Sequence, residues 1–79
     1  MAENIISPLP GIFYRKPAPD KDPYVNEGES VEVGQTVGLV EIMKQFTEVR
    51  AEVAGKIVEF KVEDSAMVNP GDVIAVLEN

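Results

Sequence analysis

The sequence of 79 residues contains no cysteine, no histidine and no tryptophan. Without cysteine, the chain has neither disulfide bonds nor thiolate ligands for a metal ion. Without histidine, it lacks the side chain that proteins use most often as a general base and as a transition-metal ligand. We therefore predict that the chain has no catalytic residues and no metal site of its own.

Basic residues are also scarce, because seven Lys and Arg face fourteen Asp and Glu and give a net charge of −7. Such a surface repels phosphate backbones and anionic lipid, so we expect neither nucleic acid nor a membrane as a partner. Residues 1–10, MAENIISPLP, lack the basic and apolar regions of a secretory signal, and no later stretch approaches a membrane span. These features predict a cytoplasmic protein.

The acidic residues do not form an obvious ion site. They include Glu27, Glu29, Glu32, Glu63 and Asp64, and none of them has the paired-carboxylate context of a calcium site. We interpret them as solubilising surface charges. A chain of this length buries only about 60% of its unfolded surface, which predicts one small domain over residues 1–79 with a thin core.

The sequence does contain an internal duplication. Val25–Glu41 and Val62–Glu78 align without a gap at an offset of 37 residues. The identical pairs are Val25/Val62, Val31/Val68, Gly34/Gly71 and Glu41/Glu78. Each copy has the pattern of a short strand, a glycine turn and a second strand, and each follows an upstream apolar strand that begins at Gly11 or Gly55. The duplication predicts an all-β fold with two similar halves.

The first copy is seven residues longer than the second. Gly55 lies seven residues before Val62, whereas Gly11 lies fourteen residues before Val25. The extra segment is PAPDKDP, that is Pro17, Ala18, Pro19, Asp20, Lys21, Asp22 and Pro23. Three prolines exclude a central strand because proline cannot donate to the hydrogen-bond ladder. A tolerated surface loop and a stiff protrusion both remain possible.

The segment VEIMKQF, residues 40–46, permits two interpretations. Apolar residues within and around the segment follow a helical spacing, at Leu39, Ile42, Met43, Phe46, Val49 and Val53. In such a helix, Lys44 would be an ordinary solvated residue on the opposite face. The segment joins the two copies, however, and a helix here would include residues that the duplication predicts to be strands on either side. We therefore favour a β-hairpin with Met43 and Lys44 at its tip.

The hairpin interpretation conflicts with the local sequence, because tight hairpin turns favour Gly or Asn at φ > 0. Met43 and Lys44 in these positions imply local strain of about 1–2 kcal/mol. A fold that keeps such residues at an exposed tip retains them for use. We therefore predict that Lys44 is an attachment point.

These residues resemble a known family. EIMK, followed by Gly55, is similar to the biotinyl-lysine motif E-A-M-K-M of biotin carboxyl carrier domains. SPLPGIFYRKPAPDKDP, residues 7–23, resembles the S-P-x-x-G-x-F-Y-R-x-P-x-P segment of the thumb-containing carrier subunits of bacterial acetyl-CoA carboxylase. The resemblance extends from about Ile6 to Glu78.

The resemblance implies a flattened β-barrel, or barrel-sandwich hybrid, of two four-stranded antiparallel sheets with quasi-two-fold symmetry. It implies covalent biotin on Lys44, with Glu41, Ile42, Met43 and Gln45 as its neighbours in the motif. It also identifies Pro17–Pro23 as the thumb, a protrusion near the biotin. Two residues depart from the motif, since Ile42 replaces Ala and Gln45 replaces Met. Both lie next to the surface that a ligase must contact.

The implied function is that of a non-catalytic carrier. A biotin protein ligase would attach biotin, a biotin carboxylase would carboxylate it, and a carboxyltransferase would pass the carboxyl group to acetyl-CoA in fatty acid biosynthesis. Two alternatives remain, a lipoyl carrier domain and an unmodified barrel that serves as an interaction module. The chain lacks the Ala/Pro-rich linker of full-length carriers, so we expect either a stand-alone carrier or an excised domain.

Overall fold

A computed structural model describes residues 2–79, which fold entirely into β-strands and connecting turns. The eight strands are β1 (Ala2–Ile6), β2 (Gly11–Tyr14), β3 (Ser30–Val31), β4 (Thr36–Ile42), β5 (Gln45–Arg50), β6 (Gly55–Phe60), β7 (Ala66–Val68) and β8 (Val73–Glu78). Residues 2–79 include no helix of the length and apolarity needed to cross a membrane.

The strands form two four-stranded sheets in which every neighbouring pair is antiparallel. The first sheet has the order β1-β8-β6-β3, and the second has the order β5-β4-β2-β7. Each sheet therefore combines strands from both halves of the chain. The predicted fold class is confirmed.

The duplication is visible in the strand order and in the register. Replacing β1–β4 by β5–β8, and the reverse, converts the order of one sheet into that of the other. Positions before the seven-residue insertion correspond at an offset of 44 residues, and positions after it correspond at 37. Thus Ala2 pairs with Glu78 at the chain ends, and the equivalent residues Phe46 and Glu41 pair beside the β4–β5 turn. The halves are structural copies.

The hydrogen bonds of the connecting turns repeat in the same way. The amide of Gly34 donates to the carbonyl of Ala51 at 2.8 Å, and that of the equivalent Gly71 donates to Ser7 at 3.0 Å. Both glycines have φ near +90°, at 86° and 91°. This left-handed conformation is accessible to glycine without the steric penalty of a Cβ atom, which explains why the V-x-x-G turn appears in both copies.

The core lies between the two sheets and draws on both halves. Its fully buried side chains are Phe13, Ile57, Ile74, Leu77, Val37, Val40 and Val68. Phe13 and Ile57 occupy equivalent positions in β2 and β6. Gly38 faces the Phe13 ring so closely that a Cβ atom at position 38 would clash with ring carbons, whereas its equivalent in the second half is the buried Ala75. The larger aromatic ring in the first half thus requires glycine opposite it.

Three of the acidic residues have a structural role that the sequence interpretation omitted. Glu27 accepts a hydrogen bond from the amide of Phe60 at 2.9 Å, and Glu29 accepts one from the amide of Asn26 at 2.7 Å. Asp64 accepts one from the amide of Arg15 at 2.8 Å. Describing these residues only as solubilising charges was therefore incomplete, because their carboxylates satisfy backbone donors in the connections.

Candidate functional site

The candidate site is built on the hairpin of β4 and β5. The last pair of its ladder is Ile42 with Gln45, so the loop consists of two residues, Met43 and Lys44. Their φ angles are 51° and 65°, as a type I′ turn requires. The hairpin prediction is confirmed and the helical alternative is wrong, because period-3.6 spacing here coincides with two adjacent strands.

The tip projects both loop side chains into solvent. Met43 is 90% exposed, and Lys44 is also exposed. The two ion pairs found among residues 2–79 join Arg50 to Glu48 and Lys61 to Glu59, and neither involves Lys44. The Lys44 amine is therefore accessible to another molecule and is not held by an ion pair to a neighbouring carboxylate.

The motif residues divide between the two sides of the hairpin. Ile42 and Gln45 are paired and share one side, on which side chains further along β4 point into the core. Glu41 and Phe46 are also paired and share the other side, the outer face of the sheet. The two departures from the family motif thus lie together, on the side opposite Glu41.

Tyr14 stabilises the outer side of the hairpin. Its hydroxyl donates a hydrogen bond of 3.0 Å to Glu41 Oε1, and its ring centroid lies 6.3 Å from that of Phe46. The hydrogen bond to Glu41, together with desolvation and the negative charges of Glu41 and Asp64, raises the pKa of Tyr14 above its ordinary value. These contacts link β2 to the tip of the β4–β5 hairpin.

The proline-rich insertion forms a closed protrusion. The amide of Tyr24 donates to the carbonyl of Arg15 at 2.9 Å, which joins the two ends of the segment, and a turn bond links Lys21 to Ala18 at 3.1 Å. Most of its residues are exposed, and Pro23 is half-buried. As predicted, the segment contains no strand.

The base of this protrusion is anchored on the second half of the chain. The Arg15 guanidinium lies 4.2 Å from the centroid of the Phe60 ring, and the Arg15 amide donates to Asp64. A cation over an aromatic face is a favourable contact. These contacts fix the point where the segment leaves the barrel.

A groove of about 400 Å³ lies between the protrusion and the hairpin. Its lining is formed by Tyr14, Lys16, Pro17, Ala18, Pro19, Glu41, Phe46, Asp64 and Ser65. It therefore brings together the first part of the proline-rich segment and Glu41. The remaining predicted residues lie outside this lining, namely Ile42, Met43, Lys44 and Gln45 of the hairpin and Asp20, Lys21, Asp22 and Pro23 of the protrusion.

The sequence interpretation did not identify five of the lining residues as part of a site. These are Tyr14, Lys16, Phe46, Asp64 and Ser65. Strand alternation next to the buried Phe13 could have placed Tyr14 on the outer face. Asp64 and Ser65 reach the groove through contacts across the two halves, for which the sequence gives no local signal.

The profile of the biotin/lipoyl domain family, described as "Biotin-requiring enzyme", matches residues 3–77. The chain belongs to this family. The match covers almost the whole sequence and includes residues of all eight strands and the β4–β5 turn.

Two relatives of this biotin/lipoyl domain are described as biotin carboxyl carrier proteins of acetyl-CoA carboxylase. The chain is 40% identical over 74 residues to the biotin carboxyl carrier protein of acetyl-CoA carboxylase from Pyropia yezoensis, covering 94% of this chain and 47% of the relative. The carrier of the same name from Haemophilus influenzae is 35% identical over 72 residues, covering 91% and 46%. The chain thus spans about half the length of these curated relatives.

A solved structure has the same fold. The urea carboxylase of Kluyveromyces lactis superimposes with a TM-score of 0.80 and 31% sequence identity, covering 99% of this chain and 6% of that protein. In that enzyme the matching unit is therefore a small part of a much longer chain.

Proposed function

We propose that this chain is a biotin carboxyl carrier domain that holds biotin in amide linkage to the side-chain nitrogen of Lys44. One observation carries the proposal: Lys44 is exposed in a two-residue turn with positive φ, a position that favours glycine or asparagine. A lysine kept at such a position is retained for its amine.

The fit to biotin is supported by the surroundings of the tip. An acylated lysine loses its charge and gains a long apolar arm, and the groove beside the hairpin offers Phe46, Pro17 and Pro19 as apolar contacts. Two of these three residues belong to the proline-rich protrusion. We assign Pro17–Pro23 as a thumb that limits where the arm can swing, which agrees with its anchored base.

The names of the relatives favour biotin over lipoic acid as the attached group. Both sequences compared above are biotin carriers of acetyl-CoA carboxylase, and the solved structure is of a urea carboxylase. The same names favour a modified carrier over an unmodified interaction module. Biotin supplies a ureido nitrogen that accepts and releases a carboxyl group.

The contribution of the chain is presentation and not catalysis. The ladder of β4 and β5 holds the tip, and Tyr14 stabilises its outer side. Tethering the cofactor makes each transfer effectively intramolecular, with an effective concentration in the mM range. The active groups belong to the enzymes that the arm visits.

The partners follow from this role. A biotin protein ligase modifies Lys44, a biotin carboxylase loads the arm, and a carboxyltransferase unloads it. By similarity to its relatives, the carrier serves acetyl-CoA carboxylase in fatty acid synthesis. We further propose that it does so in the cytoplasm. Residues 1–79 act as one biotinyl domain with the thumb inserted at residues 17–23.

The test is co-expression of the 79-residue chain with a biotin protein ligase or, separately, with a lipoate ligase, followed by intact-mass measurement. We expect a mass increase of one biotinyl group with the first ligase and no increase with the second. A lipoyl adduct in the absence of a biotinyl adduct would reverse the choice of cofactor. No adduct with either ligase would contradict the carrier function.

A further inference from the structure

A row of four residues crosses the outer face of the β5-β4-β2-β7 sheet next to the hairpin tip. Phe46 pairs with Glu41, Glu41 with Ile12, and Ile12 with Met67. Directly opposed residues share a face of a sheet, so all four side chains point outwards. Phe46 is 59% exposed and Met67 is 74% exposed. We call these four residues the outer row.

The other sheet provides an internal comparison for the outer row. Its equivalent positions are Ala2, Glu78, Lys56 and Ser30, which pair with one another in the same order. This equivalent row carries no large apolar side chain. In the next row, both sheets have an apolar residue on equivalent inner strands, Leu39 on β4 and Val76 on β8. The exposed Phe and Met are thus not required by the fold, and they occur only on the face beside Lys44.

The composition of the outer row is that of a protein interface. Aromatic residues and methionine are enriched at interface cores, whereas single exposed apolar residues scattered over a surface are ordinary. Here three apolar side chains and Glu41 form one line across the four strands. Glu41 lies among them with its carboxylate held by Tyr14, on a chain of net charge −7. A complementary partner presents an apolar surface flanked by Lys or Arg.

The reach of the lysine side chain distinguishes between the enzymes that act at this tip. An extended lysine places its amine only about 6 Å from its own Cα atom, so an enzyme that acylates the bare amine must lie directly against the hairpin. Enzymes that meet the far end of a biotinyl arm can stay at a greater distance. Phe46 lies two residues from Lys44, and the outer row continues from it across the sheet.

We propose that the outer row is the docking surface for the ligase that acylates Lys44, with Phe46 and Met67 as its apolar anchors. This inference rests on the proposed carrier function. It adds that recognition extends beyond the tip motif to β7, which is at the opposite edge of the sheet and far from Lys44 in sequence. Residues at the tip present the amine, and the outer row holds the ligase in place.

The test is steady-state biotinylation of the unmodified chain by a biotin protein ligase, with biotin and ATP saturating. The main variant is Met67→Ser, which copies the equivalent Ser30, and the second is Phe46→Ala with Met67→Ser, which copies two positions of the other sheet. The control is Val58→Ser, which removes a 48% exposed apolar side chain from the opposite sheet. Urea unfolding curves serve to check that each variant is folded.

We expect the double variant to raise the KM for the carrier about tenfold, with Met67→Ser accounting for part of it, while kcat changes little. Val58→Ser should leave both parameters unchanged. An unchanged KM in the double variant would overturn the inference, and so would an equal rise for Val58→Ser. If only carboxylation of the already biotinylated variants were impaired, the row would serve the carboxylase and the assignment to the ligase would be wrong. Failure of the wild-type chain to accept biotin would instead contradict the carrier function itself.

Discussion

The two halves of this chain share one framework and differ in what is added to it. Strand order, register and turn hydrogen bonds repeat at offsets of 44 and 37 residues. The first half alone carries the proline-rich protrusion. The turn Met43–Lys44 occurs once, where the chain passes from the first half to the second, and its counterpart in the other sheet is the pair of chain ends. The protrusion and the β4–β5 hairpin lie on the two sides of one groove. Under the proposed function, the repeated part builds the fold and the unrepeated features serve the amine of Lys44.

The largest effect is expected where the halves are most alike. Phe13 and Ile57 are equivalent, fully buried residues, one in each half. Replacing either with alanine should lower the free energy of unfolding by about 2–5 kcal/mol, because each change leaves a cavity between the sheets. Urea unfolding measures the loss. A loss below about 1 kcal/mol at either position would show that the halves do not share one core.

Replacing the turn with the residues that its backbone favours should stabilise the protein. Met43→Asn with Lys44→Gly supplies a type I′ pair, and relief of the strain should raise the free energy of unfolding by about 1–2 kcal/mol. The same change removes the attachment amine. Urea unfolding gives the stability, and Met43→Ala serves as a control that keeps an unfavourable residue at φ > 0. Equal or lower stability of the Asn-Gly variant would mean that the turn is not strained.

Removing the protrusion tests whether it belongs to the framework. Deletion of residues 17–23 gives the first half the connection length of the second. It should change the free energy of unfolding by about 1 kcal/mol or less, because a shorter loop offsets the lost contacts. Biotinylation at Lys44 should persist, while NMR signals of the attached biotin should lose contacts with the protein. Failure of the shortened chain to fold would show that the protrusion is structural.

The smallest effect concerns the contact between Tyr14 and Glu41. Because the pKa of Tyr14 is raised in the folded state, this contact contributes stability below the ordinary tyrosine pKa and loses it as pH rises through the raised value. Titration by ultraviolet absorbance, in a Tyr24→Phe background, should show the pKa of Tyr14 falling in Glu41→Ala. An unchanged titration would mean that the hydrogen bond does not form in solution.

Much of the framework could be predicted from the sequence because the duplication records it. The shared V-x-x-G turns predicted a strand on each side, which are β3 and β4 in the first half and β7 and β8 in the second. The same alignment predicted Met43 and Lys44 at a hairpin tip, although the local pattern was helical. The hairpin interpretation also required a strand after the tip, and β5 occupies that place. The sequence interpretation did not identify β1, which pairs with β8 from the other end of the chain.

The surroundings of the site were less predictable for a physical reason. The bond from Arg15 to Asp64 and the contact from Arg15 to Phe60 join residues more than forty positions apart, and local pattern does not encode them. Ser65 illustrates the same limit. It has φ of 69° at a position where the first half has Gly28, so the repeat alone would not have placed a serine there.

The attachment of biotin to Lys44 is tested most directly by mass spectrometry of the biotinylated chain after proteolysis, alongside Lys44→Arg and the matched variant Lys56→Arg. Arginine keeps the charge but cannot form the amide that the ligase makes. We predict a single biotinyl group on the peptide that contains Lys44, its complete loss in Lys44→Arg, and normal modification of Lys56→Arg. Biotin retained by a folded Lys44→Arg variant would contradict the assignment of the tip lysine as the attachment point.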